Sequence, residues 1–172
     1  MIDQARIIDF DTKVLIPGLT FLSNVGGPAP SFLAATFLRA VAMQESSLKY
    51  RAQLNGGPAR GWWQFEQSGV SGVMSNPVTK DLMRTVCDKT GTPYAVYDVW
   101  AALAWNDLLS TSVARLLLWT DPFPLPATEV DGWSCYLRLW RPGKPRPLDW
   151  SQNWKLSFDI FYALKGGDST SS

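Results

Sequence analysis

Apolar residues along the chain recur mainly at intervals of three and four positions, which is the repeat of an α-helix. One such series, Leu38, Val41, Glu45 and Leu48, puts a single carboxylate on an otherwise apolar helical stripe. The longest periodic segment covers residues 94–119, with a stripe wide enough to predict a buried central helix and a polar interruption at 106–107. No segment alternates in the manner of a β-strand. The pattern predicts an all-α protein with about seven helices.

Capping residues, glycines and prolines set the predicted helix limits. Asp11 is expected to cap a first helix that Pro17 kinks or shortens, and Ser31 to cap the helix that carries Glu45. Glycines and a proline make residues 51–61 a predicted loop, and prolines make 121–126 an extended connector. Helices are predicted at 11–25, 32–48, 67–74, 78–89 with Gly91 closing it, 94–119, 129–140, and 149–164 with Asp149 as cap. Residues 1–165 are predicted to form a single domain and 166–172 a disordered tail.

Composition narrows the chemistry that the chain can support. The net charge is +1 and charged residues make up 18%, which argues against binding of nucleic acid or an anionic membrane. The absence of histidine excludes Ser-His-Asp and Cys-His nucleophilic sites and zinc sites with a His ligand, and no metal or cofactor is expected. Cys87 and Cys135 lack metal-ligand spacing, and buried thiols are favoured over a disulfide. Acid–base chemistry therefore falls to Asp, Glu, Tyr or Lys.

The N-terminal residues and the apolar runs carry no targeting or spanning signal. No basic segment leads into an apolar run and a cleavage site, so no signal peptide is predicted. No uninterrupted apolar stretch is long enough for a transmembrane helix, so no stable membrane insertion is expected. The nine Trp residues indicate either a bulky core or platforms for flat ligands such as sugars.

Glu45 is the candidate with the clearest physical reason for activity. Burial on an apolar stripe disfavours its ionised form, and so does its position near the negative C-terminal end of a helix. Both effects raise the pKa of the carboxyl, as a general acid near neutral pH requires. The alternative is a surface glutamate that reaches into solvent.

The same region carries a family resemblance. Glu45-Ser46 followed by Ala59-x-Gly61-x-x-Gln64 resembles the E-S…G-A-x-G-L-M-Q signature of lytic transglycosylases and goose-type lysozymes. Pro58 replaces the first glycine of that signature, and Trp62-Trp63 replace Leu-Met. Goose-type lysozymes carry an acid two residues after the Gln, where this chain has Glu66. Residues 136–143 correspond loosely to the A-Y-N-A-G of lytic transglycosylases, without the Asn, and the whole chain is similar to small bacteriophage lysozyme-like proteins.

This resemblance implies a lysozyme-like bundle with a substrate cleft, and cleavage of the β-1,4 bond between N-acetylmuramic acid and N-acetylglucosamine. Glu45 would be the acid and then the base of a transglycosylase that leaves a 1,6-anhydro product. In a goose-type inverting muramidase, Glu66 would be a second catalytic residue that activates water. The implied substrate-binding residues are Ser46, Tyr50, Gln53, Trp62, Trp63, Gln64, Tyr136 and Trp140.

Other interpretations stay open at this point. Glu66 could be a structural ion-pair partner of Arg51 or Arg60, Tyr136 could be a core residue, and the chain could be a non-catalytic structural or glycan-binding component of a phage particle. The expected partners are peptidoglycan strands and phage virion proteins. The resemblance implies synthesis in a host cytoplasm, with release by a holin or delivery as part of a virion.

Overall fold

The computed structural model describes residues 2–166, with side chains for residues 2–160. Throughout that range the regular structure is helical, joined by loops that contain only isolated β-bridges. This confirms the all-α prediction. The helices are α1 Gln4–Phe10, α2 Ile16–Asn24, α3 Phe32–Ser46, α4 Gln67–Ser75, α5 Lys80–Thr90, α6 Val96–Ala102, α7 Asp107–Trp119, α8 Glu129–Trp140 and α9 Pro147–Gly166.

The N-terminal helix differs from its prediction at both the start and the proline. It begins at Gln4, where the Asp3 side chain accepts from the Arg6 N–H, so Asp11 is not a cap. A π-helical turn at Asp11–Leu15 connects α1 to α2, with Pro17 in the first turn of α2. Because proline has no N–H to donate, a wider turn just before it disrupts the helix less than a break would.

Asp11 is instead part of a buried polar cluster that joins three helices. Its carboxylate accepts two hydrogen bonds of 2.7 Å from the Arg39 guanidinium on α3. Arg39 also donates to the backbone oxygen of Ser157 on α9, at 2.8 Å. The Ser157 hydroxyl in turn donates to the Thr36 carbonyl, at 2.6 Å. A buried charge is tolerated only when it is paired and hydrogen-bonded in this way.

Helix α3 runs through the core and packs most extensively against α9. Ser31 caps it as predicted, accepting from the Ala34 N–H at 3.2 Å. It ends at Ser46 because Ser47 and Leu48 both have left-handed backbone, with φ of 54° and 50°. Leu48 is buried by that turn, and the expectation that it continues the helical stripe is wrong.

The predicted central helix at 94–119 is two helices. Asn106 interrupts it, because its side chain accepts from the Leu109 N–H at 3.0 Å and so caps α7. Gly91 closes α5 with left-handed backbone, and α8 has the predicted limits. Helix α9 begins at Pro147, so Asp149 lies in its first turn. The predicted tail lies, apart from Gly166, outside the described residues.

The core is dominated by aliphatic and aromatic side chains, several of them Trp. Cys87 and Cys135 are both buried free thiols, as predicted. Burial raises the pKa of the Cys87 thiol to about 11. Among the described residues, no helix combines the length and hydropathy needed to cross a lipid bilayer.

Candidate functional site

A cavity of about 740 Å³ opens where the end of α3 meets the loop at 51–66 and the turn between α8 and α9. A void of this size fits a small ligand or part of a polymer. Its wall includes most of the residues implied by the family resemblance, brought together from three separate parts of the chain. The implied residues that line it are Glu45, Tyr50, Gln53, Gln64, Glu66, Tyr136 and Trp140.

Glu45 lies in the last turn of α3, largely buried, and faces this cavity. Its Oε1 accepts a hydrogen bond of 2.5 Å from the Tyr136 hydroxyl. Burial raises the pKa of Glu45, although the Tyr136 hydrogen bond and the charge of Arg146 oppose that rise. Among the described residues, none bonds Oε2, which is the oxygen left to transfer a proton.

Tyr136 is held in place by its ring. The side chain is buried and stacks on Trp150 of α9, with ring centroids 5.2 Å apart and an interplanar angle of 14°. Burial, followed by the charge and the hydrogen bond of Glu45, raises the pKa of the Tyr136 phenol. The hydroxyl therefore keeps its proton and acts as a donor to Glu45. The sequence left substrate binding and core packing open for Tyr136. In the structure it is a core residue that also lines the cavity and contacts the candidate acid.

The residue preceding Glu45 ties the helix end to the α8–α9 turn. The Gln44 side chain donates to the Arg146 carbonyl at 3.2 Å and accepts from Asn153 at 2.9 Å. The Arg146 guanidinium donates to the Gln44 backbone oxygen. Arg146 thus satisfies a carbonyl at the end of α3, and a cation at that end complements the helix dipole.

The loop at 51–66 is shaped by residues with left-handed backbone. Gly61 has φ of 77°, and a Cβ there would lie 2.8 Å from Ser110 Oγ and 2.9 Å from Leu103 O. Gln64 has φ of 50°, and its Nε2 donates to the Gly61 carbonyl at 2.8 Å. The Gln64 amide thus holds the turn that glycine makes possible. This side chain supports the cavity wall from within, in addition to any contact with a ligand.

The two tryptophans of this loop face away from the cavity. Trp63 is fully buried and donates from Nε1 to the Leu38 carbonyl at 2.8 Å. Trp62 donates to Asp107 at 2.9 Å, and Arg51 lies 4.4 Å from the centroid of its ring. Neither residue is part of the cavity lining, so neither offers a ring face to a ligand in this cavity.

Ser46 also differs from expectation. It is buried, and its hydroxyl donates back to the Ala42 carbonyl at 2.8 Å. This is a bond within the helix, which helical serine commonly makes. The Ser46 hydroxyl is therefore engaged within its own helix and makes no hydrogen bond with Glu45.

Glu66 is exposed at the start of α4 and lines the same cavity as Glu45. The alternative that it pairs with Arg51 or Arg60 is not realised. Arg51 forms a two-pronged ion pair with Asp107, at 2.8 and 2.9 Å, and Arg60 donates to the Gly57 and Ala59 carbonyls. Glu66 is consequently available to a ligand.

Three other implied residues form part of the wall. Trp140 donates from Nε1 to the Trp63 carbonyl at 3.1 Å and packs against Phe65. Gln53 accepts from the Ala59 N–H at 3.1 Å, which closes the loop on itself. The carbonyl of Tyr50 receives a long hydrogen bond of 3.4 Å from the Gln64 amide.

Backbone strain is concentrated around this cavity. Among the described residues, the non-glycine positions with positive φ are Ser47, Leu48, Asn55, Gln64 and Arg141. All five lie in the segments that enclose the cavity, either in its lining or within three residues of a lining residue. Such strain persists only where the surrounding structure enforces it, and it is typical of functional sites.

Sequence reasoning missed the cationic side of the cavity. Arg141, Lys144 and Arg146 line it from the α8–α9 turn. The available signal was the run of basic residues at 138–146, where Arg138 and Arg141 lie close to Trp140. Comparison of the chain with protein-family models, with curated proteins and with solved structures gives no match.

Proposed function

We propose that this chain is a peptidoglycan-cleaving glycosidase with a lysozyme-like helical fold, and that Glu45 is its general acid and base. The observation that carries the proposal is the environment of this one carboxyl group. It is largely buried at the wall of a cavity of about 740 Å³, its pKa is raised, and a tyrosine hydroxyl holds one of its oxygens. A raised pKa favours the protonated form of the carboxyl, and protonation of a glycosidic oxygen requires that form.

The chemistry follows the transglycosylase pattern. Glu45 Oε2 gives its proton to the oxygen that joins C1 of N-acetylmuramic acid to N-acetylglucosamine. The bond between this oxygen and C1 then breaks. The carboxylate then takes the proton of the muramyl C6 hydroxyl as that oxygen attacks C1. The product is a 1,6-anhydro end, and Glu45 is protonated again. Tyr136 stabilises the carboxylate form between the two steps, because its hydroxyl donates to Oε1.

The position of Glu66 supports a second mechanism, that of an inverting hydrolase. Glu66 lines the same cavity and has no ion-pair partner among the described residues. In an inverting hydrolase, Glu66 would activate a water molecule that attacks C1 from the opposite face. This mechanism would leave a reducing end.

The three glutamates of the chain provide a matched test. Glu45→Gln, Glu66→Gln and Glu129→Gln remove one carboxylate each, and Glu129, at the start of α8, is not part of the cavity lining. We expect the wild type and Glu129→Gln to clear suspensions of purified peptidoglycan, and Glu45→Gln to lose activity. Mass spectrometry of the products then separates the mechanisms, because an anhydro end is one water lighter than a reducing end. Equal clearing by all variants would rule out Glu45 as the acid, whereas glycan binding without cleavage by wild type would indicate a binding protein.

A further inference from the structure

The cavity has a distinct charge distribution that catalysis by Glu45 does not explain. Arg141, Lys144 and Arg146 bring three cations to one side, on the short turn that joins α8 to α9. The chain as a whole has a net charge of only +1. This local excess of positive charge faces the proposed substrate site.

The three cations differ in how far they are already engaged. Arg146 is bonded to the Gln44 carbonyl and lies 3.2 Å from Asp149. Arg141 makes one hydrogen bond, of 3.3 Å, from Nε to the Arg138 carbonyl. Lys144 makes neither a hydrogen bond nor an ion pair with any described residue. Arg141 and Lys144 are both exposed, so two cations at the cavity have no carboxylate partner.

The turn that carries these cations is restrained. Arg141 has left-handed backbone, with φ of 49°, and prolines follow at 142, 145 and 147. Each proline fixes its own φ and limits the residue before it. The bonds between Arg146 and Gln44 fasten the turn to the end of α3. The backbone that carries Arg141 and Lys144 is therefore restrained beside the cavity that Glu45 also lines, so less conformational entropy is lost when these cations bind a ligand.

We propose that Arg141 and Lys144 bind a carboxylate carried by the glycan, so that the site selects anionic strands over neutral β-1,4 glycans. This inference rests on the proposed function and specifies its substrate. A guanidinium and an ammonium form charge-assisted hydrogen bonds with carboxylates, and a neutral N-acetylglucosamine polymer offers them no such partner. In peptidoglycan the carboxylate could belong to the peptide stem or, on strands stripped of peptide, to the lactyl group of muramic acid.

The test compares two double variants that change the net charge equally, from +1 to −1. The first, called the rim variant, is Arg141→Gln with Lys144→Gln and removes two exposed cations that line the cavity. The second, called the α5 variant, is Lys80→Gln with Lys89→Gln and removes two exposed cations of α5 that do not line the cavity. The substrates are peptidoglycan with its stems, the same glycan after amidase treatment, and chitin oligosaccharides. Binding is also measured in the Glu45→Gln background, by cosedimentation for peptidoglycan and by titration calorimetry for the two soluble glycans, which separates affinity from cleavage.

We expect the rim variant to lose about 2- to 30-fold in kcat/KM and in binding on peptidoglycan, the range that two partly solvated ion pairs provide. The loss should shrink with added NaCl, and the α5 variant should match wild type. A loss confined to strands with stems assigns the carboxylate to the peptide alone. An equal loss on stripped strands shows that the lactyl carboxylate, which amidase treatment frees, replaces the carboxylate of the peptide.

Two results would overturn the inference. One is equal cleavage and binding of peptidoglycan by the rim and α5 variants, which would leave the proposed function standing. The other is an equal loss on chitin oligosaccharides, because a neutral glycan cannot pair with the cations. If wild type neither cleaves nor binds any of the three glycans, the proposed function and the inference fail together.

Discussion

A single methyl group at position 61 tests how the cavity wall is built. Gly61 has left-handed backbone and lies against α7, and the Gln64 amide is bonded to its carbonyl. Gly61→Ala therefore adds two separate costs, one from the backbone conformation and one from close contact. Two other glycines of the chain separate these costs.

The magnitude follows from the local geometry. Left-handed backbone costs an alanine about 1–2 kcal/mol. The new Cβ would lie 2.8 Å from Ser110 Oγ and 2.9 Å from the Leu103 carbonyl, and relieving such overpacking costs about 1–3 kcal/mol more. Gly61→Ala should thus lower the free energy of unfolding by about 2–5 kcal/mol. For a chain of this length, that corresponds to a fall in Tm of about 4–20 °C.

The control variants are Gly91→Ala and Gly72→Ala. Gly91 has φ of 66° but open space around a Cβ, so only the backbone cost of about 1–2 kcal/mol applies. Gly72 is helical with open space, so alanine there should stabilise α4 by about 0.5–1 kcal/mol. Urea unfolding followed by tryptophan fluorescence gives all three free energies. The proposed peptidoglycan cleavage, measured well below each Tm, should fall for Gly61→Ala and stay unchanged for Gly91→Ala.

The ordering of these variants is the critical result. If Gly61→Ala is no less stable than Gly91→Ala, then α7 does not constrain the loop at position 61. If Gly61→Ala is less stable but cleaves peptidoglycan at the wild-type rate, the geometry of this wall does not matter for the proposed activity.

Three further predictions concern the acid and the buried cluster. Because burial raises the pKa of Glu45 in the folded state, ionisation of Glu45 costs stability as pH rises through that pKa. Glu45→Gln should therefore have a higher Tm than wild type at pH 8, and the difference should vanish at pH 4. An equal difference at both pH values would contradict this. Tyr136→Phe removes a hydrogen bond that lowers the pKa of Glu45. The alkaline limb of the pH–rate profile should therefore move to higher pH while the maximal rate falls. An unmoved limb would show that Glu45 is not the titrating acid. Arg39→Met leaves Asp11 buried without its partner. Urea unfolding should show that the free energy of unfolding falls by about 3–5 kcal/mol, and that most of it is recovered in the double variant Arg39→Met with Asp11→Leu. A double variant as unstable as the single one would contradict the role of the uncompensated charge.

Much of the helical architecture could be predicted because its signals are local. Ser31 caps α3, Gly91 closes α5, and α8 has the limits that its apolar period and following Pro–Gly turn predict. Asp11 shows where local signals fail. Its side chain resembles a cap in sequence, but it pairs with Arg39, which is 28 residues away. Nothing within a turn of Asp11 encodes that contact.

The candidate site was predictable to a similar extent. The spacing from Glu45 to Glu66 resembles a known signature, and both residues line one cavity. The signature does not encode where the Trp62 and Trp63 rings point, because that depends on α3 and α7, which they contact. The meeting of Tyr136 with Glu45 across 91 residues, and the position of the 141–146 turn beside them, likewise depend on how α8 and α9 pack.

The Arg39 cluster has a practical consequence for anyone who makes shortened or fused forms of this protein. One guanidinium couples an early helix and the final helix to the helix whose last turn carries Glu45. Deleting the first dozen residues would remove Asp11 and leave that guanidinium without its counter-ion in the interior. Loss of the proposed activity in such a form would then reflect a loosened interior more than a missing contact with the proposed substrate.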